Sequence, residues 1–146
     1  MVIDDKNRIF IKSIAKKFFT SEEDKAAERK VVFFEDHISI FDQISYIDYI
    51  EEFAKEIGDR KLAYRVVSTA TIEYAPDSMG RILIPAGFMK HSWKGDELKV
   101  FCMDMPEGKI IEIFPSKEYE KMIEPYISSE NGGLKGTSYE ERRRKD

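Results

Sequence analysis

A single cysteine, Cys102, stands in this chain, so no disulfide framework can be built from it and a reducing, cytoplasmic setting is the natural reading. Its apolar surroundings in KVFCM predict a small buried hydrophobe. Long apolar runs are also missing; none approaches the ~18 residues that a membrane-spanning helix needs. The N-terminus turns acidic at Asp4 and Asp5, which is not the pattern of a secretory signal. His37, His91 and Cys102 show no metal-ligand spacing, and no phosphate loop, dinucleotide fingerprint or nucleophile elbow occurs. These absences lead us to expect a protein that is not an enzyme, with no cofactor, no metal, no membrane contact and no small-molecule substrate. An excess of positive charge is lacking as well. The net charge of −4 speaks against a surface coated with basic residues for nucleic acid.

What is present is globular. A hydrophobic fraction of 42% and an aromatic fraction of 12% over 146 residues suit one ordinary domain, or two small halves sharing a core. The charges are unevenly spread. Residues 4–19 carry Lys6, Arg8, Lys12, Lys16 and Lys17 against Asp4 and Asp5, and residues 77–94 carry Arg81, Lys90, Lys94 and His91 against Asp77 alone. The acids gather in SEEDKAAE, DYIEEFAKE and KGDEL. Glu22, Glu23 and Asp24 read as a solvated helix end, and 28 carboxylates offer no pair that spacing alone would select for hydrolysis.

The two basic segments belong to a repeat. A shift of 73 residues lays Asp4 on Asp77, Arg8 on Arg81, Ile9 on Ile82, Ile11 on Ile84 and Lys17 on Lys90. Without a gap it also lays Ile38, Ile40, Phe41, Tyr46, Ile50 and Glu51 on Ile111, Ile113, Phe114, Tyr119, Ile123 and Glu124. The identities cluster at the two ends of the unit, which implies two copies of one supersecondary unit in a pseudo-symmetric domain.

Each copy has a readable grammar. In the second, TATIEY alternates as a strand does, and PDSMG follows as a turn. Asp77 opens it because a carboxylate can accept from backbone N–H groups just ahead. Gly80 suits a left-handed backbone, and its counterpart Asn7 is the next most tolerant residue. RIFI and RILI then alternate as strands, with isoleucines on one face. Ser13 lies near the start of a helix IAKKFF, and Pro85 suits the first turn of a short helix AGFMKH. HISIF and IIEIF read as strands. Asp42 caps a helix whose apolar residues Ile44, Ile47, Ile50, Ala54 and Ile57 recur at helical spacing, and Gly58 stops it. Pro115 and Ser116 start a last helix that Pro125 ends, with Tyr46 and Tyr119 as packing residues. The expected layout is a first repeat over 1–57, a connecting helix over 58–68, a second repeat over 69–127 and a flexible tail over 128–146, with Arg142 to Lys145 at its basic end.

These motifs, DDKNR with IFIK and DSMGR with ILIP, together with ISIFDQISYIDYI and IEIFPSKEYEKMI, resemble the MraZ family within the wider AbrB/SpoVT-type swapped-hairpin superfamily. The resemblance covers residues 2 to about 126. Lys12 stands where the family usually has proline, and only Met1, Val2 and Ile3 precede Asp4, so the opening strand is expected to be clipped, and the first half either completes its sheet alone or borrows an edge from a neighbour. The implied fold is α+β, two tandem swapped-hairpin repeats in one pseudo-twofold domain. The implied function is a transcriptional regulator in the cytoplasm, associated with the nucleoid, that binds promoter DNA at direct repeats near cell-division and cell-wall genes as a ring-shaped homo-oligomer. By motif match Arg8 and Arg81 inherit the DNA contact, and Asp4 and Asp77 inherit an orienting role. Lys6, Lys12, Lys16 and Lys90 are the basic residues expected to join them. An antitoxin-type interaction module and an oligomeric scaffold without DNA binding remain the alternatives.

Overall fold

The computed structural model describes residues 1–19 and 29–136. The acidic run Glu22, Glu23 and Asp24, and the basic run Arg142 to Lys145, lie outside the described residues. The described chain is α+β, built from two antiparallel sheets and four helices. Strands β1 (Arg8–Phe10) and β5 (Arg81–Leu83) form a ribbon of two. The larger sheet has the order β4-β2-β3-β7-β6, from Thr71–Glu73, Lys30–Phe33, Ile38–Phe41, Gly108–Pro115 and Leu98–Met105.

Alternation along the strands builds the core. Ile9 and Ile11 in the first copy, with Ile82 and Ile84 in the second, turn away from solvent and pack against Val31, Phe33, Ile38, Ile40, Ile111 and Ile113 of the larger sheet. Strand β3 is buried along its whole length, because the ribbon covers one face and helices cover the other. On that second face α2 (Gln43–Ile57), α3 (Arg60–Thr69) and α4 (Ser116–Ile123) lie over the sheet. Tyr46 packs on Phe41, and Tyr119 on Phe101 and Phe114. Burying one large aliphatic side chain stabilises by roughly 1.5–3 kcal/mol, so the ribbon isoleucines are the main force that fixes it to the sheet.

The register is informative. Ile9 pairs with Ile82 at the centre of the ribbon, and Ser39 pairs with Glu112 at the centre of the larger sheet. Both pairs join residues 73 apart in the sequence. The two sheet edges differ: β4 covers β2, whereas beyond β6 the described residues offer only Met1, whose carbonyl accepts the Leu98 N–H at 2.7 Å. Residues 1–3 form no strand.

Two expectations need correction. Cys102 is exposed rather than buried, because β6 is an edge strand with no strand outside it among the described residues. The short helix after Pro85 is two 3-10 turns, Ala86–Phe88 and His91–Trp93, while the first copy forms α1 over Lys12–Phe18. A hydrogen bond explains part of this. Ile11 and Lys12 both donate N–H to the Gly80 carbonyl at 3.1 Å, whereas only Ile84 donates to the Asn7 carbonyl, at 2.7 Å, since Pro85 has no N–H to offer. Gly87, in the interior of the segment, further weakens a helix there. The helical stripe Ile44, Ile47, Ile50, Ala54 and Ile57 forms α2 as expected, and only part of it is buried. Ile50 and Ala54 pack with Ala63 and Val67 of α3 beneath Tyr46, Tyr49, Phe53 and Tyr64; Ile44 is 64% exposed, and Ile47 and Ile57 are exposed too. The aromatic side chains, not the isoleucines, fill the seam between α2 and α3. As expected, α4 starts at Ser116 after Pro115 and ends at Ile123, and Pro125 lies in the 3-10 turn Glu124–Tyr126 that follows.

Asp42 does more than cap α2. One carboxylate oxygen accepts the Ser45 N–H and the other accepts the Lys109 N–H, each at 2.9 Å. It thus fastens the start of α2 to the start of β7. Helix α2 stops at Gly58, which is left-handed at φ 74°. Past α4, Ile127 and Leu134 form an antiparallel bridge.

Candidate nucleic-acid interface

The two aspartate–arginine turns are copies in space. In the first, Asp4 Oδ1 accepts the N–H groups of Lys6 at 2.9 Å and Arg8 at 2.8 Å, and Asp4 Oδ2 accepts Arg8 Nε–H at 2.9 Å. In the second, Asp77 Oδ1 accepts the N–H groups of Met79 and Arg81, both at 2.9 Å, and Asp77 Oδ2 accepts Arg81 Nε–H at 2.8 Å. The backbone closes each turn in the same way. Asp4 donates to Arg8 O and Asp77 to Arg81 O, while Asn7 donates to Asp4 O and Gly80 to Asp77 O. Such closure needs a left-handed residue just before the arginine. Asn7 has φ 60° and Gly80 φ 84°. A Cβ on Gly80 would also lie 2.8 Å from Lys12 Cβ, so this position is both strained for other residues and crowded.

The electrostatics follow the bonds. Desolvation pushes the Asp4 carboxyl up, but the Arg8 N–H and guanidinium and the Lys6 N–H outweigh it, and the net direction is down. At Asp77 the Arg81 N–H is the largest cause of a lowered value, opposed by desolvation and reinforced by the Arg81 side chain and the Met79 N–H. Both aspartates are therefore ionised at neutral pH and hold their arginines by Nε. The two Nη groups of each arginine have no hydrogen-bond partner among the described residues. A guanidinium held on one edge presents its remaining N–H groups as a fixed fork, the geometry that meets a phosphate or a guanine edge with two bonds.

The ribbon puts these forks on one face. Ile9 and Ile82 point into the core, so the alternate residues Arg8, Phe10, Arg81 and Leu83 share the outer face. In register, Arg8 lies opposite Leu83 and Phe10 opposite Arg81. The Arg81 guanidinium lies over the Phe10 ring at 5.7 Å. Lys12 and Lys16 join this region, lining an open concavity of about 340 Å³ with Phe10, Ser13, Ser78, Met79 and Gly80. Lys6 is exposed at the tip of the first turn. Lys90 lies between the two 3-10 turns of the second copy. It is half-buried, with its ammonium 6.0 Å from the centre of the Trp93 ring, because the second copy makes 3-10 turns where the first makes α1.

The sequence pattern identified neither Phe10 nor Leu83 as site residues. Their signal was available in the alternation itself: with isoleucines buried at 9 and 11, and at 82 and 84, any residue between them must face outward, and these two are large and apolar. Among the described residues no group of three or more His, Cys, Asp or Glu side chains is placed to hold a metal ion, and no helix is long and apolar enough to cross a membrane.

Comparison with known proteins adds one finding. No curated protein matches the chain. Residues 67–132 match the family model described as "MraZ protein, putative antitoxin-like", a span that contains the Asp77–Arg81 turn, β5, β6, β7 and α4. Over this segment, the chain is similar to the MraZ family.

Proposed function

We propose that the protein is a sequence-specific DNA-binding transcriptional regulator that acts as a ring-shaped homo-oligomer on direct repeats in promoters, those of cell-division and cell-wall genes in particular, and is associated with the nucleoid. The observation that carries this reading is the pair of matched turns, each holding an arginine by Nε, on one face of the ribbon. We read them as the corresponding parts of two tandem swapped-hairpin repeats, 1–57 and 69–127, joined by a connecting helix over 58–68. The equal 73-residue offset of the central pair in both sheets supports a pseudo-twofold relation.

One protomer offers few phosphate contacts, and affinity for the backbone grows with each phosphate neutralised. A ring that repeats the contact raises the effective concentration of every later one. Exposed apolar side chains on the outer helices, Ile44 and Ile47 on α2 with Leu62 and Val66 on α3, favour assembly, since apolar surface gains by leaving water.

A second reading, an antitoxin-type interaction module, is favoured by the wording of the family description and by the same apolar helix faces. Variants at the arginines separate the two. In a gel shift on the DNA upstream of its own gene, Arg8→Ala and Arg81→Ala should each weaken binding about tenfold, a loss of about 1.4 kcal/mol, and together about a hundredfold. Wild-type affinity should fall steeply between ~50 and ~200 mM salt. A double variant that binds as the wild type does, or affinity indifferent to salt, contradicts the reading.

A further inference from the structure

Between the two arginines the ribbon exposes side chains that a simple phosphate grip does not require. Phe10 is 50% and Leu83 is 57% exposed, directly above a core in which Ile9 and Ile82 are buried. They are not filling a gap in that core. With the arginines they make a two-by-two grid, in which the arginines occupy one diagonal and the apolar residues the other.

We propose that Phe10 and Leu83 are specificity-determining residues that contact thymine methyl groups in the major groove, beside the guanines taken by Arg8 and Arg81. This rests on the DNA-binding reading and deepens it. A two-stranded ribbon has its strands ~4.8 Å apart and is of a size that the ~12 Å major groove admits. The concavity beside Phe10 is lined by Lys12 and Lys16 and by no acidic side chain, which suits the phosphates at a groove wall.

The chemistry of the groove decides what each position reads. With Nε committed to aspartate, each arginine has its two Nη groups left for a paired contact with guanine O6 and N7. The one apolar feature on a base edge in that groove is the thymine C5-methyl, and it is what a phenyl ring or an isobutyl group can recognise. The Arg81 guanidinium also lies over the Phe10 ring at 5.7 Å, so the apolar and the charged contacts are adjacent. Diagonal neighbours on a two-stranded ribbon lie about 7–8 Å apart, roughly two base steps at 3.4 Å each along a strand. The ribbon therefore fits a short site with two guanines about two steps apart and thymine next to them.

The test uses the full chain and two versions of one duplex, the region upstream of its own gene made with thymidine or with deoxyuridine throughout. Uracil keeps every hydrogen-bonding group of thymine and lacks only the methyl. Affinity is measured by fluorescence anisotropy for the wild type and for the Phe10→Ser, Leu83→Ser double variant, with thermal melting to check that the variant is folded. Wild type should bind the uracil duplex at least fivefold more weakly than the thymine duplex. The double variant should bind the thymine duplex more weakly than wild type does and should no longer distinguish the two duplexes. Equal binding of both duplexes by wild type overturns the proposal and leaves the DNA-binding reading in place, as does a folded double variant that remains sensitive to uracil. Binding of neither duplex by wild type overturns both readings.

Discussion

Asp4–Arg8 and Asp77–Arg81 agree bond for bond, whereas the segments that follow them do not: residues 12–18 form a helix and residues 86–93 two 3-10 turns. The difference shows where the geometry is constrained. A turn built from one carboxylate, two backbone N–H groups and a guanidinium has a single solution, and the chain reaches it twice with a different left-handed residue each time. The segment after the strand only has to bury apolar side chains against the sheet. That can be done by Ala15 and Phe19 in one copy and by Trp93 in the other.

Three measurements would break or sharpen this comparison. The largest effect is expected at the ribbon centre. Ile9→Ala and Ile82→Ala should each cost about 2–5 kcal/mol of unfolding free energy in urea, by transfer and cavity terms, and the two values should lie close together. A near-neutral Ile9→Ala beside a costly Ile82→Ala would show that the first half is not anchored as the second is.

A smaller effect should appear at the left-handed position. Gly80→Ala should cost roughly 1–3 kcal/mol, from an unfavourable backbone and the 2.8 Å approach to Lys12 Cβ. Asn7→Gly should stay within about 0.5 kcal/mol, since glycine relieves the strain but loosens the unfolded chain. Equal penalties at the two positions would mean that the turns tolerate the same residues, contrary to their different packing.

The smallest effect concerns pH. Both turn aspartates have folded values below the ordinary 3.8. A carboxyl lowered on folding contributes stability that is fully present above its unfolded value and is lost as pH falls through the folded one. Wild type should therefore lose more stability between pH 6 and ~3 than Asp4→Asn or Asp77→Asn does, as followed by thermal melting across the range. The carboxylates are partly exposed, Asp4 at 23% and Asp77 at 38%, so water screens the pairs and the difference should be modest. A wild-type profile parallel to both variants would remove the carboxylates from the account of the turns.

Much of this was legible in the residues. Asp42 as a cap, Gly58 as a stop, Asn7 and Gly80 as equivalent left-handed positions, and the strand at Ile38–Phe41 all follow from local rules that hold whatever the rest of the chain does. Other features were not legible. The second bond from Asp42, to the Lys109 N–H, joins residues 67 apart and has no local signature. The apolar period of α2 indicated a helix but not its rotation, which is set by α3 and by the aromatic side chains between them. The exposure of Cys102 depends on β6 being the last strand in the order, and neighbouring residues alone say nothing about that.

The sequence by itself determined the two turns, the residues that close them and the isoleucines that bury the strands behind them, because each is a matter of short-range sterics, hydrogen bonding and period. Only the tertiary structure decided that β1 and β5 pair antiparallel. That pairing brings Arg8 and Arg81 to one face, with Phe10 and Leu83 on the other diagonal, and leaves Lys90 against Trp93. The physical reason is that pairing two segments 73 residues apart is settled by the shared core beneath them. No stretch of either segment specifies its partner alone.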